Sequence, residues 1–322
     1  MIRDKVGVAF IGAGTVAEMH GRGIAAAAGV SFIGAYDVDR TKAEAITAKF
    51  GGRVFESLQQ LLAEPDVDAV HVLTPVSHHV SDAVESLRAG KHVLLEKPVA
   101  ETLEDIALLN RVARKTNRVC MPAHNYIYVP SLRRAKRLLD AGKLGDIGSL
   151  WILYNIFHPE AVAAAYGGVL RAVCNHHAYS VLYLLGRPRR VMATTSRVHY
   201  TKLTCEDQAM IVCEMENGAI ANLWCSFATS DPTNDPWTVL YKILGTNGGV
   251  NYSWNEAQFK DEGGPAWGMA CYEESFIEEI DYFINRCVLG GEQPLSTLDD
   301  AADAMRILMA AERSVLNSGV AL

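Results

Sequence analysis

The hexapeptide Gly12-Ala13-Gly14-Thr15-Val16-Ala17 is the feature that most narrows what this chain can fold into. It follows an apolar run, Val6–Ile11, that reads as a strand, and it precedes a segment with helical spacing. Two glycines there permit a tight turn and close approach of backbone to a pyrophosphate. The small third residue lets helix pack on strand, and the helix N-terminus offers unpaired N–H groups. Alone the pattern is weak, but between a strand and a helix it has the context its chemistry requires. Gly12, Gly14, Thr15 and Val16 are therefore candidate cofactor contacts. Asp37 ends the second predicted strand, where a ribose-binding carboxylate belongs, and a carboxylate there favours NAD by repelling a 2′-phosphate. Arg40, three residues on, tolerates that phosphate and keeps NADP open.

From Lys5 to Ala123 apolar strands alternate with helical segments. Val6–Ile11, Ser31–Tyr36, Ala69–Leu73, His92–Leu95 and Val119–Met121 lack polar alternation, so both faces are expected to be covered, as in a doubly wound parallel sheet. Leu58–Ala63, Val80–Ala89 and Leu103–Lys115 read as helices between them. After Pro130 the rhythm changes. A helix at 131–141, a strand at 147–156 and an apolar helix at about 168–185 lead into strands at 190–197, 208–214, 219–227 and 238–245. Glu216-Asn217-Gly218 and Thr246-Asn247-Gly248-Gly249 are hairpin signals, and helices near 273–289 and 299–317 close the sequence. The expected architecture is α/β: an N-terminal Rossmann domain (1–123) and a C-terminal α+β domain (124–322) on a largely antiparallel open sheet.

Composition removes several function classes. A formal net charge of -7 argues against a broad nucleic-acid face, and the densest basic run, at 133–137, alternates with apolar residues. No apolar stretch is long enough to cross a bilayer, and the N-terminal run reads as a strand and not a signal peptide. Seven scattered cysteines without a C-x-x-C pair suggest free thiols in a cytoplasmic setting. Cys174, His176 and His177 do not have a standard metal-ligand spacing. His158, His124 and Asp207 are conceivable further donors that nothing in the sequence places beside them, so no metal is expected.

Three further segments, Thr74-Pro75-Val76-Ser77-His78-His79, Gly90-Lys91-His92-Val93-Leu94-Leu95-Glu96-Lys97-Pro98 and Gly167-Gly168-Val169-Leu170, make a family match specific. With the glycine motif, they give a chain that resembles the glucose–fructose oxidoreductase/inositol dehydrogenase (Gfo/Idh/MocA) family over essentially its whole length. The resemblance implies hydride transfer between NAD(H) and a carbinol carbon of a sugar, sugar acid or cyclitol. It places Thr74, Pro75 and His79 along the cofactor, Glu96 near the nicotinamide ribose, and Lys97 at both substrate hydroxyl and cofactor. It also makes Lys97–Pro98 a candidate cis peptide and suggests a homodimer or homotetramer packed through the open sheet. Tyr126, Trp151, Asn155, His158 and Arg171 are candidate substrate contacts on the same ground.

One stretch departs from the family pattern, D-x-G-x-H-x-x-D. Here it reads Ala172-Val173-Cys174-Asn175-His176-His177-Ala178-Tyr179, so His176 keeps the histidine while Ala172 and Tyr179 replace both carboxylates. Lys97, His176 and Tyr179 are the expected catalytic groups, with Lys97 and His176 also touching substrate. The missing carboxylates give weight to two alternatives: a non-catalytic NAD-binding sensor, and an enzyme that recycles NAD internally.

Overall fold

The computed structural model describes residues 5–164, 166–231, 237–254 and 269–317. Strand β1 (Val6–Ile11) is buried along its whole length, as its unbroken apolar run requires. There follow α1 (Ala17–Ala26), β2 (Val30–Tyr36), α2 (Arg40–Phe50), β3 (Arg53–Val54), α3 (Leu58–Ala63), β4 (Ala69–Val72), α4 (Val76–Arg88), β5 (His92–Leu95), α5 (Leu103–Thr116) and β6 (Cys120–Pro122). The six strands pair in the order β3-β2-β1-β4-β5-β6, and every pair is parallel. The order reverses between β1 and β4, so the carboxyl ends of those strands, at Gly12 and Thr74, mark the crevice where such sheets bind ligands. Strand β3 has only two residues, too few to read in advance. Helix α4 begins four residues before the expected Val80, because the polar His78 and His79 belong to its first turns.

The chain continues through a 3-10 turn (Asn125–Tyr128), α6 (Pro130–Asp140), β7 (Ile147–Ile156), α7 (Glu160–Ala163), α8 (Val169–Ala172) and α9 (Cys174–Leu185). Then come β8 (Pro188–Ser196), β9 (Gln208–Met215), β10 (Ile220–Ser226), β11 (Trp237–Gly245) and β12 (Gly248–Ser253). The expected single helix at 168–185 is two, broken at Val173. The second sheet runs β12-β11-β7-β10-β9-β8. Its neighbours are antiparallel except for the central pair β7–β10, which is parallel. On one face Leu150, Ile152, Ala221, Leu223, Cys225, Ile211 and Cys213 are all buried, and α9 packs against β10 there. Both expected hairpin turns form; Gly218 takes a φ of +87°, a left-handed value that glycine adopts without steric cost.

Helix α10 (Met269–Asp281) runs on into a π-helical stretch (Tyr282–Val288), and α11 (Leu298–Asn317) closes the described chain. Two compact units result: residues 1–129 with 273–302, and residues 130–272 with 303–322. The sequence reading puts the boundary at 123/124 and gives all later residues to the second domain. The structure instead returns 273–302 to the first unit, and the reason lies on α1. A Cβ on Gly23 would stand 2.4 Å from Ile280 Cδ1, and the His20 ring meets Phe276 edge-on at 5.3 Å. A glycine and a histidine inside a helix give no advance sign of that docking.

Gly34 interrupts β2 with a φ of +153°, and a Cβ there would lie 1.9 Å from the Arg53 carbonyl oxygen. The β1–β2 register shifts beside it, between Val8 and Ala9. Gly34→Ala should therefore break the β2–β3 pairing and lower unfolding free energy by about 1–3 kcal/mol. Denaturant titration of both proteins measures this, and an unchanged midpoint would show that the edge strand adjusts freely.

Candidate active site

In the first unit the glycine turn has the shape its sequence suggests. Gly12 has φ +90°, and a Cβ on it would press to 2.8 Å from the backbone of Leu73. Gly14 faces open space, with nothing within 4 Å of a Cβ placed there. Helix α1 starts at Val16 without a side-chain cap, whereas α2, α3 and α5 are capped by Asp39, Ser57 and Thr102. An open cradle before an uncapped helix fits a pyrophosphate. Asp37 is fixed beside it: Oδ2 accepts from the Ala13 N–H at 2.7 Å and Oδ1 from the Asp39 N–H at 2.8 Å. Arg40 points elsewhere, its guanidinium bonded to Glu44 at 2.7 Å and Glu56 at 2.5 Å.

The next loop is held by His79, which is buried. Its Nε2 lies 2.7 Å from the Thr74 carbonyl and its Nδ1 2.8 Å from the Pro98 carbonyl. His79 thus ties the Thr74–Pro75 turn to the Lys97–Pro98 turn, whose peptide bond is cis. Both ring nitrogens are thus engaged by backbone carbonyls. Thr74 Oγ1 donates to Asp82 at 2.8 Å.

Glu96, at the end of β5, is buried and turned inward. Its Oε1 is 3.0 Å from His20 Nε2, and its Oε2 accepts from the Lys97 N–H at 2.9 Å. His20 Nδ1 in turn meets His71 Nδ1 at 3.0 Å. Burial, helped by the adjacent His20, holds His71 well below the usual histidine value, so His71 is neutral. The Nδ1 atoms of the two rings share one hydrogen bond, and His20 turns Nε2 to the Glu96 carboxylate. Burial acts to raise the Glu96 pKa, but the His20 hydrogen bond and the charges of His20 and Lys97 outweigh it and hold the carboxyl below its ordinary value. Glu96 is therefore an anion that orients the Lys97 peptide.

In the second unit, Gly167 and Gly168 carry the chain into α8 with φ of +67° and +108°. A Cβ on Gly168 would meet the Glu206 carboxylate at 2.4 Å, and that carboxylate accepts from the Leu170 N–H at 2.9 Å. Glycine is needed there so that Glu206 can cap the helix. On α9, His176 Nδ1 lies 2.5 Å from the Tyr179 hydroxyl, and both side chains are buried. Ser180 Oγ donates to the His176 carbonyl at 2.7 Å and meets the Tyr241 hydroxyl at 3.1 Å.

Two family models match consecutive stretches of the chain: the oxidoreductase family NAD-binding Rossmann fold over residues 6–124, and the Gfo/Idh/MocA C-terminal domain over residues 132–251. The chain belongs to the Gfo/Idh/MocA oxidoreductase family. It is 24% identical to scyllo-inositol 2-dehydrogenase (NAD(+)) of Bacillus subtilis, over 98% of this chain and 96% of that protein. It is 30% identical to a 1-carboxy-3-chloro-3,4-dihydroxycyclohexa-1,5-diene dehydrogenase of Comamonas testosteroni, over 60% of this chain but only 51% of that relative. Among solved structures, GenD2 from gentamicin A biosynthesis, in complex with NAD, superposes with a TM-score of 0.85 at 25% identity, over 98% of this chain and 96% of that one.

Several expected substrate contacts of this Gfo/Idh/MocA chain are engaged otherwise. Arg171 is an exposed residue whose guanidinium grips Glu312 of α11 through two bonds, at 2.5 and 3.0 Å. Trp151 is exposed on the sheet face opposite α9. Asp207, a conceivable metal donor, accepts backbone N–H groups of Val198, His199 and Tyr200 instead. His124 lies in the first unit, its Nδ1 2.7 Å from Ser296 Oγ, and Tyr126 is buried in the same unit.

Asn155 and His158 keep features a ligand can use. Asn155 Oδ1 is buried without a hydrogen-bond partner among the described residues. His158 is half-buried and stacks on Tyr166 at 5.6 Å with Phe227 at 4.7 Å. Burial holds its pKa below the usual value, so it offers a neutral ring. Tyr166, Phe227 and Asn175, whose Nδ2 is also unpartnered, went unread in the sequence because single aromatic and amide residues carry no pattern.

His124 supplies a pH test of the buried network around Glu96. Burial pushes its pKa down to about 3, a shift opposed by Glu96 and aided by Lys97. The unfolded chain, with an ordinary histidine near 6.5, binds the extra proton more tightly. Stability is then full above about pH 6.5 and falls as pH drops towards about 3. His124→Gln should make that slope shallower by about 1.4 kcal/mol per pH unit, read from denaturant titrations across the interval. Parallel slopes would mean that His124 is already charged in the folded protein.

Proposed function

We propose that this chain is an NAD-dependent dehydrogenase of a polyhydroxylated substrate, a sugar, sugar acid or cyclitol, with Lys97 and His176 as its proton-handling groups. The observation that carries the reading is the His176–Tyr179 contact, placed where the family pattern has histidine and carboxylate. The named activities of the Bacillus subtilis relative and of other relatives, including 1,5-anhydro-D-fructose reductase of Ensifer adhaerens, support the substrate class.

The bound nicotinamide supplies the hydride acceptor or donor. Everything else is work for this chain. As an alcohol loses hydride its oxygen develops negative charge, and an ammonium held at that oxygen stabilises it. Lys97 suits this task, because Glu96 fixes its backbone from within. His176 accepts the hydroxyl proton at Nε2 when Nδ1 carries a proton and donates it to the Tyr179 oxygen. A carboxylate would enforce that tautomer; a phenol permits it and can also donate. Asp37 is positioned to accept hydrogen bonds from the adenine ribose, and Arg40 is neutralised by two acids, so NAD is preferred to NADP.

The test follows NADH absorbance with NAD, then NADP, against a panel of inositols, sugars and sugar acids. Turnover with NAD is expected. Lys97→Met and His176→Asn should each lower kcat/KM by about 10²–10⁴-fold, and Tyr179→Phe by about 10- to 100-fold. Asp37→Ser should raise relative use of NADP by about 10-fold or more. NAD binding without turnover across the panel, unaltered in the Lys97 and His176 variants, would overturn the catalytic reading in favour of a sensor. Product formed without accumulating NADH would point to internal recycling.

The proposal includes a cytoplasmic setting and a homo-oligomer. No helix among the described residues is long and apolar enough to cross a membrane. The sheet face opposite α9 supports self-association. Leu240 pairs with Leu153, Leu153 with Trp224 and Trp224 with Met210 across four adjacent strands, and all four side chains are only partly buried. Trp151 and Ile220 extend this apolar band. A contiguous apolar band on a sheet face is the kind of surface a second copy can cover. Light scattering should give a dimer or tetramer mass, reduced to that of one chain by Trp224→Asp; a wild-type monomer at micromolar concentration removes this part of the proposal.

A further inference from the structure

Beneath α9, on its sheet-facing side, lies a cluster that the proposed chemistry does not use. Cys174 opens the helix, and His177, three residues on, shares its face. Cys225 comes from β10, 51 residues further along the chain than Cys174. All three side chains are buried, and one donor atom from each lies within 4.8 Å of the other two. The two sulfur atoms are 2.8 Å apart. His177 Nδ1 is buried and has no hydrogen-bond partner among the described residues.

We propose that Cys174, His177 and Cys225 form a binding site for one thiophilic divalent cation of the Zn(II) type. The donor set is what such ions take: two thiolates and a neutral imidazole, with Zn–S near 2.3 Å and Zn–N near 2.0–2.1 Å. Around a tetrahedral ion those donors stand about 3.5 Å apart, so the sulfurs part slightly to admit it. Two thiolates balance the double positive charge, which a buried site requires. A disulfide between the cysteines would also account for the short sulfur distance, but it leaves the His177 nitrogen orphaned in the core. A bound metal would account for both observations. Binding converts two thiols to thiolates and releases two protons per ion, with no change of oxidation state. Three protein ligands leave the fourth position to water or another small donor. The ion would pin the first turn of α9, which carries His176, to β10.

The test uses the full chain, reduced and freed of metal with a chelator, and titrates it with Co(II) as a spectroscopic substitute. One equivalent per chain should produce a thiolate-to-cobalt charge-transfer band that Zn(II) abolishes by displacement. Cys174→Ser and Cys225→Ser should lose the band, and His177→Ala should weaken binding by about 10-fold or more. Cys213→Ser, a buried thiol on the neighbouring strand, should keep it. Because a serine variant may misfold, the wild-type unfolding temperature provides a second readout; it should rise with Zn(II) and not with Mg(II). The proposal fails if no band forms, if the band survives in Cys225→Ser, or if the purified chain carries a Cys174–Cys225 disulfide.

Discussion

The buried anion of Glu96 is the interaction on which the candidate residues of the first unit depend. A carboxylate removed from water is costly unless its oxygens are served by hydrogen bonds. Here His20 of α1 serves one oxygen and the Lys97 backbone the other, while His71 of β4 completes the chain behind His20. Helix α1, strand β4 and the end of β5 are therefore fixed relative to one another by a single line of polar contacts. These are the elements that carry the glycine cradle, the Thr74 loop and Lys97. Glu279 adds to the same interior, with both oxygens unpartnered among the described residues. Burial, and secondarily Glu96, raise its pKa well above the carboxylate range, so it remains uncharged. One anion is tolerated there because the other acid stays neutral.

The sequence made the Rossmann half legible because each of its signals has a local cause. An unbroken apolar strand, two glycines and a helix start can be recognised within a dozen residues, and β1, Gly12 and α1 form as read. In the second half, apolar runs between turn signals such as Glu216-Asn217-Gly218 gave the approximate positions of β7 to β11. What stayed hidden depends on long-range packing. Gly23 looks like a weak point in α1 until Ile280 occupies its place, and that contact moves residues 273–302 into the first unit. The parallel pairing of β7 with β10 likewise follows from chain topology, which alternation cannot reveal.

Candidate residues show the same division. Asp37, Lys97, Glu96 and His176 sit at motif positions with a backbone reason to be there. Arg171 and Trp151 were candidates because the resemblance puts their region by the substrate, and their solvent-facing positions give one an ion pair and the other a place on the sheet face opposite α9. Cys225 had no motif at all. Only the fold brings it across from β10 to the Cys174–His177 face of α9.

Helix α9 itself contains no carboxylate, and this sets how it can handle a proton. Its buried polar groups include Asn175, His176, Tyr179 and Ser180. An imidazolium formed there would find no stabilising carboxylate on α9 itself, in a medium of low dielectric constant. On the proposed reading, a proton taken up by His176 would be held at higher energy than beside a carboxylate at position 179. A phenol beside Nδ1 meets that constraint differently from a carboxylate. It can accept from the ring on one side while giving up its own proton on the other, so charge passes along and does not accumulate. On the proposed reading, a tyrosine at position 179 would serve to relay a proton where a carboxylate would store it.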